Sequence, residues 1–155
     1  MHRRKLQFKT LADAVADVRM LQESEYKQLG NWSLAPMLDH LNKTMNGAFE
    51  ANMKPMPAPI RWLMRQTVLR RLLSGKQFNF RAPAPKELQP ENAIHLQDAV
   101  AEFESLCHRL ESTEEEVRPI NPAFGRFDRN DWLRLSIWHA GHHLSFLVPA
   151  TSDSA

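Results

Sequence analysis

His139-Ala140-Gly141-His142-His143 is the segment of this 155-residue chain best placed to do chemistry. Side chains four apart on a helix lie one turn above each other. His139 and His143 can therefore bring two ring nitrogens to one point, as a metal ion requires. Neutral imidazoles buried on one face cost free energy unless each ring finds partners, and a metal would satisfy both at once. At about 100° per residue, Trp132, Leu135, His139, His143 and Phe146 fall within roughly 80° of one another. The pair thus points into the same interior as the large apolar residues. His142 lies nearer the edge of that stripe and is less well aimed.

A third ligand is best sought at His40, in Leu38-Asp39-His40-Leu41. It flanks an apolar helical face, with Met37 and Thr44 one turn away on either side, and can reach a site near one end of a bundle where helices splay. His95 and His108 fall on the polar side of their helix, and His2 lies in a tail. Three neutral histidines leave a fourth position for water or substrate, the pattern of a catalytic rather than a structural zinc site. Imidazole also suits nickel, iron and copper. A bound water of lowered pKa, or an activated thiolate or carbonyl, is the chemistry such a site supports. The opposing reading is a set of core histidines bonded to backbone or carboxylates. Asp39 and Asp131 are candidate partners for the rings, and each reads equally well as a surface or helix-start residue.

The elements that must position these residues are helical, with strand signals nearly absent. Thr10 is a good N-cap for a first helix with Leu11, Ala14, Val15, Val18 and Leu21 on one face, ending at Gly30. Ser33 starts a second helix, which runs to about Asn52 with Pro36 harmless in its first turn. After a proline-rich break, Ile60 to Leu73 is a shorter helix. Its apolar residues are spread almost all round, so it is either covered on several sides or touches a partner. Phe78 to Gln89 reads as an extended connection. Pro90-Glu91 opens the next helix, which stops near Leu110 because acidic residues are unfavourable at a helix C-terminus. Asn121 to Phe127 is a compact turn, and Asp128 caps a last helix that reaches Leu147. Four long helices and one short one are most easily packed as a bundle.

Trp32-Ser33-Leu34-Ala35-Pro36-Met37-Leu38-Asp39-His40-Leu41 resembles the second-helix motif of the DinB/YfiT-like superfamily of metalloenzymes. Asn121-Pro122-Ala123-Phe124-Gly125, then Trp132, then His139-Ala140-Gly141-His142-His143-Leu144, resembles one uncharacterised branch of it, known only as a domain of unknown function. The similarity runs from about Leu6 to Leu147 and is strongest in the two histidine segments. It implies an all-α fold, a DinB-like four-helix bundle with one additional short helix, and a divalent metal held by His40, His139 and His143. It also implies zinc or nickel as the usual metal, a homodimer, and thiol-dependent transferase or isomerase chemistry using a low-molecular-weight thiol. No residue in the chain identifies a thiol or a substrate pocket.

Other chemistries are less well supported. Cys107, the one cysteine, falls in an inward stripe and reads as a small core residue, because reactive thiols need an electropositive, accessible setting. Ser136 and Ser145 have no nucleophile-elbow pattern around them. Arg61, Arg65, Arg70, Arg71, Lys76 and Arg81, interleaved with Trp62, Phe78 and Phe80, could bind an anion or nucleic acid. A formal charge of only +2 favours a solvated face. Met37, Met45, Met53, Met56 and Met64 could line an adaptable pocket, although such residues more often fill a core. The composition, 43% hydrophobic and 25% charged, is that of an ordinary globular domain.

The length suggests a single domain over 1–155 with a core from about 6 to 147. No internal disulfide is available, which agrees with a reducing cytoplasm. The basic N-terminus lacks the apolar run of a secretory signal, and no segment is long and apolar enough to span a bilayer. The expectation is a cytoplasmic metal-dependent enzyme, a thiol-dependent transferase or a hydrolase, acting on a small molecule without nucleic-acid or membrane partners. The alternative is a non-enzymatic dimeric module for small-molecule binding or interaction, with structural histidines.

Overall fold

The computed structural model describes residues 2–75 and 83–150. The chain is mainly helical. Its helices are α1 (Leu11–Glu23), α2 (Leu34–Asn46), α3 (Ala58–Met64), α4 (Arg70–Leu72), α5 (Leu96–Glu111) and α6 (Arg129–Leu144). A π-helical stretch, Arg65–Leu69, joins α3 to α4, and a 3₁₀ turn spans Lys86–Leu88. The expectation of an all-α chain needs one correction. Short strands β1 (Tyr26–Gln28) and β4 (Leu147–Pro149) pair antiparallel, as do β2 (Ile120–Asn121) and β3 (Gly125–Arg126). No helix among the described residues is long and apolar enough to cross a membrane.

The two helices with side-chain caps start where their sequences indicate. Thr10 Oγ1 accepts the Asp13 N–H while Asp13 closes the box on the Thr10 N–H. Asp128 and Asp131 form the same reciprocal pair at α6. Each satisfies two backbone N–H groups that the helix itself leaves unbonded. Leu11, Ala14, Val18 and Leu21 of α1 are buried, as are Leu38 and Leu41 of α2, Phe103 and Leu110 of α5, and Trp132 and Leu144 of α6. Both α1 and α2 pack against both α5 and α6. Each large aliphatic side chain so buried contributes about 1.5–3 kcal/mol.

The helix ends differ from the sequence reading where tertiary contacts capture the backbone. Helix α1 stops at Glu23 rather than Gly30, because the chain turns out to pair as β1 with β4. Tyr26 then presents its hydroxyl to the Leu34 N–H at the start of α2. Helix α2 stops at Asn46 rather than Asn52: Asn52 Nδ2 donates to the Lys43 carbonyl, and Arg118 binds the carbonyls of Gly47 and Ala48. Helix α5 starts at Leu96 rather than Pro90. The preceding segment is pinned to α2, with Asp39 accepting the Glu91 N–H and Lys43 donating to the Gln89 carbonyl. Helix α6 stops at Leu144 rather than Leu147, where Arg4 donates to the Leu144 carbonyl and the next residues enter β4. The short helix expected over Ile60 to Leu73 runs instead from Ala58 to Leu72, through the π stretch.

Helix α3 is not covered on all sides: Ile60, Trp62 and Leu63 remain exposed, while Leu69 and Leu72 beyond the π stretch are buried. Within the basic run, Arg65 is structural. Arg65 donates to the backbone carbonyls of Phe124 and Arg126 and approaches Asp131 at 3.9 Å. Lys76, Phe78, Phe80 and Arg81 lie outside the described residues, as does part of the connection expected from Phe78 to Gln89.

The compact turn after Asn121 is a β2–β3 hairpin. Asn121 Oδ1 accepts the N–H groups of Ala123 and Phe124 at 2.9 and 3.1 Å. Gly125 takes φ +80°, a left-handed conformation that a residue with a Cβ resists. This hairpin delivers the chain to Asp128 and so sets where α6 begins.

Candidate metal centre

Two helices remote in sequence bring the site together. His40 lies in the middle of α2, and His139 and His143 lie one turn apart near the end of α6. One ligand atom from each of the three falls within 4.8 Å of the others. His139 Nε2 is 3.2 Å from His40 Nε2 and 2.9 Å from His143 Nε2. The ring centroids are 4.6 to 5.0 Å apart.

The other ring nitrogens determine what these short approaches mean. His40 Nδ1 is 2.7 Å from the Leu88 carbonyl, which only accepts, so the proton of a neutral His40 sits on Nδ1. His139 Nδ1 is 3.2 Å from Thr44 Oγ1, whose own proton goes to the Leu41 carbonyl at 2.8 Å. The Thr44 oxygen therefore accepts, and the proton of His139 is also on Nδ1. The Nε2 atoms of His40 and His139 then face each other with lone pairs, at a distance where two lone pairs repel. A single proton on His143 Nε2 can answer only one of them. A cation placed among the three answers all, and Nδ1 held by a carbonyl or hydroxyl is how metal-ligating imidazoles are usually oriented. The residues thus fit a metal.

Electrostatics keep the donors in the ligating form. His40 is buried, and His139 and His143 are half-buried. Burial first, and then the neighbouring imidazoles, hold His139 and His143 well below the ordinary imidazole value of 6.5. Burial also lowers His40, against the opposing bond to Leu88. Trp32 covers the rings of His40 and His143, with centroids 5.0 and 5.7 Å away. Beside His139, a cavity of about 200 Å³ opens between α2, the β2–β3 hairpin and α6.

His142 turns elsewhere. Its ring stacks on Trp138 at 5.1 Å, and its Nδ1 is 3.5 Å from Arg3 Nη2. Burial and the Arg3 charge push it down to about 4. His95 and His108 are exposed, each away from the trio. Neither carboxylate considered as a ring partner is one. Asp39 binds Lys43 and the Glu91 N–H, and Asp131 closes the α6 capping box. The partners are the Leu88 carbonyl and the Thr44 hydroxyl. Thr44 is visible in sequence as a neighbour of His40, whereas a backbone carbonyl from a non-helical segment carries no sequence signal.

Comparison with known proteins adds the family. A family model described as a protein of unknown function, DUF1569, matches residues 1–150. The chain belongs to the DUF1569 family. No curated protein and no solved structure matches it. The matched span contains both histidine segments of this DUF1569 chain and every described residue.

Cys107 is buried, and its thiol is pushed up to about 12, first by burial and then by Glu111 and Glu104. It is a core residue of this DUF1569 protein, not a nucleophile. Ser145 is also structural: it accepts from Arg3 Nε and donates to the His142 carbonyl.

Proposed function

We propose that His40, His139 and His143 hold one divalent metal, zinc or nickel, and that the protein is a cytoplasmic metal-dependent enzyme acting on a small molecule. The observation that carries the reading is the facing of the His40 and His139 Nε2 lone pairs at 3.2 Å, with each Nδ1 proton already committed. When bound, the cation would supply Lewis acidity at a position the protein leaves open, since three protein ligands are the catalytic rather than the structural count for zinc. Leu88 and Thr44 orient two of the donors, and Trp32 shields the His40 and His143 rings from water.

The reaction proposed is thiol-dependent group transfer or hydrolysis, in keeping with the DinB-like resemblance of the two histidine segments. A DinB-like four-helix bundle is supported by α1, α2, α5 and α6 packing about one core, with the candidate ligands on α2 and α6. A reducing compartment suits the lone buried Cys107.

Metal analysis of protein purified without a histidine tag tests the site. Near one metal per chain, lost in His139→Ala, is the expected result. Metal-free protein whose stability ignores a chelator would leave the histidines structural. That outcome would favour the second reading, a dimeric interaction module, for which the exposure of Trp62 (64%) and Leu63 (54%) on α3 speaks.

A further inference from the structure

The cavity beside His139 has a chemical character of its own. Its volume is about 200 Å³, and no Asp, Glu, Lys or Arg among the described residues lines it. Leu72, Leu88, Leu135, Phe124, Trp132 and Trp138 give it apolar walls. Its polar side chains are largely committed to the protein. Asn121 Oδ1 accepts two N–H groups of the hairpin, Asn52 Nδ2 and Trp132 Nε1 donate to carbonyls, and Thr44 is held between Leu41 and His139. Ser136 differs: it is buried, and its hydroxyl has no protein partner among the described residues.

In the metal-free protein, an ionised group entering such a space would lose its water and meet no counter-charge among the described residues. An apolar group would lose nothing. An engineered apolar cavity of about 150 Å³ takes up benzene, so this one has room for a ring-sized group of roughly six to ten heavy atoms. The neighbouring pocket sharpens the contrast. Leu72 and Trp138 also line a second cavity, of about 500 Å³, which carries Arg3, Lys9, Arg134 and His142. Among the described residues, one wall thus separates a cavity without charged side chains from a basic one.

We propose that the cavity beside His139 binds the uncharged, predominantly apolar part of a small ligand, with a single hydrogen bond to Ser136 Oγ. The ligand would lie against the His139 ring. The inference rests on the proposed metal reading only for the claim that this ligand is the substrate.

The probe is 4-fluorophenol, neutral at pH 7, titrated into chelated and metal-loaded protein and followed by fluorine NMR. Saturable binding is expected in both. Ala123→Leu, which adds bulk from the hairpin, should weaken it at least tenfold. Ser136→Ala, which leaves the walls intact, should weaken it about fivefold through the lost hydrogen bond. In the chelated protein, 4-fluorobenzoate should not displace the phenol. Absence of binding, binding indifferent to both substitutions, or displacement by the benzoate at similar concentration in the chelated protein would overturn the proposal. Metal loading is measured on the same samples. A protein that takes up no metal on loading yet still binds the phenol would remove the metal reading and keep the cavity, and a metal-loaded protein that ignores the phenol would do the reverse.

Discussion

Helix α6 turns His139 and His143 toward α2 and His142 away from it, and the two sides of this one helix differ in what they offer a metal. On the inner side, two carbonyls and a hydroxyl fix the protons of His40 and His139 on Nδ1, and the lone pairs converge. On the outer side, the His142 ring lies against Trp138 and meets the Arg3 guanidinium at 3.5 Å. A cation already stands there. Three imidazoles in five residues thus divide according to the side of α6 they face and the groups they meet there, and residue type alone does not distinguish them. At Gly141, between them, the N-terminal segment crosses α6: a Cβ there would lie 3.5 Å from the Phe8 ring, in ordinary van der Waals contact. That crossing brings Arg3 to the outer side.

Replacing the histidines one at a time should separate the two sides most strongly. His40→Ala, His139→Ala and His143→Ala should each lower metal affinity by more than the roughly 10–100-fold that loss of an outer partner costs. His142→Ala should change it by less than about tenfold. Competition with a chelating dye measures both, and the reverse ranking would undo the assignment of sides.

A smaller effect is expected one shell out. Thr44→Val removes the acceptor for His139 Nδ1 and should weaken metal binding about 10–100-fold, whereas Thr44→Ser should restore it. Equal affinity in all three proteins would show that the hydroxyl does not orient the ring.

Acid should expose both sides in the chelated protein. An imidazole kept neutral in the fold but free to protonate at 6.5 when unfolded makes the unfolded chain bind more protons. Stability should therefore be greatest above pH 6.5 and fall as pH drops toward the lowered folded value. For His142 that window runs from 6.5 to about 4. Urea midpoints should decline across it, and His142→Ala should make the decline shallower. The smallest change lies far from either side. Thr10→Ala should cost about 1 kcal/mol through loss of the α1 cap, with metal affinity unchanged.

The parts of the molecule that were legible from sequence are those determined locally. Thr10 and Asp128 cap their helices as their side chains dictate. Helical spacing separates His143 from His142, and His40 falls where the third ligand was sought. What escaped depends on distant contacts. β1 and β4 are three residues each and gain order only by pairing across more than a hundred residues of chain. The start of α5 is displaced because Asp39 and Lys43 hold the segment before it. The same segment supplies the Leu88 carbonyl to His40, so one tertiary contact conceals both a helix boundary and a partner of the site.

Anomalous scattering from crystals of untagged protein, collected on both sides of the zinc and nickel edges, tests the central claim most directly. One peak per chain is expected, about 2.0–2.1 Å from the Nε2 atoms of His40, His139 and His143, with His142 still against Arg3. A peak bound by His142, or metal-soaked crystals with no peak among the three rings, would contradict it.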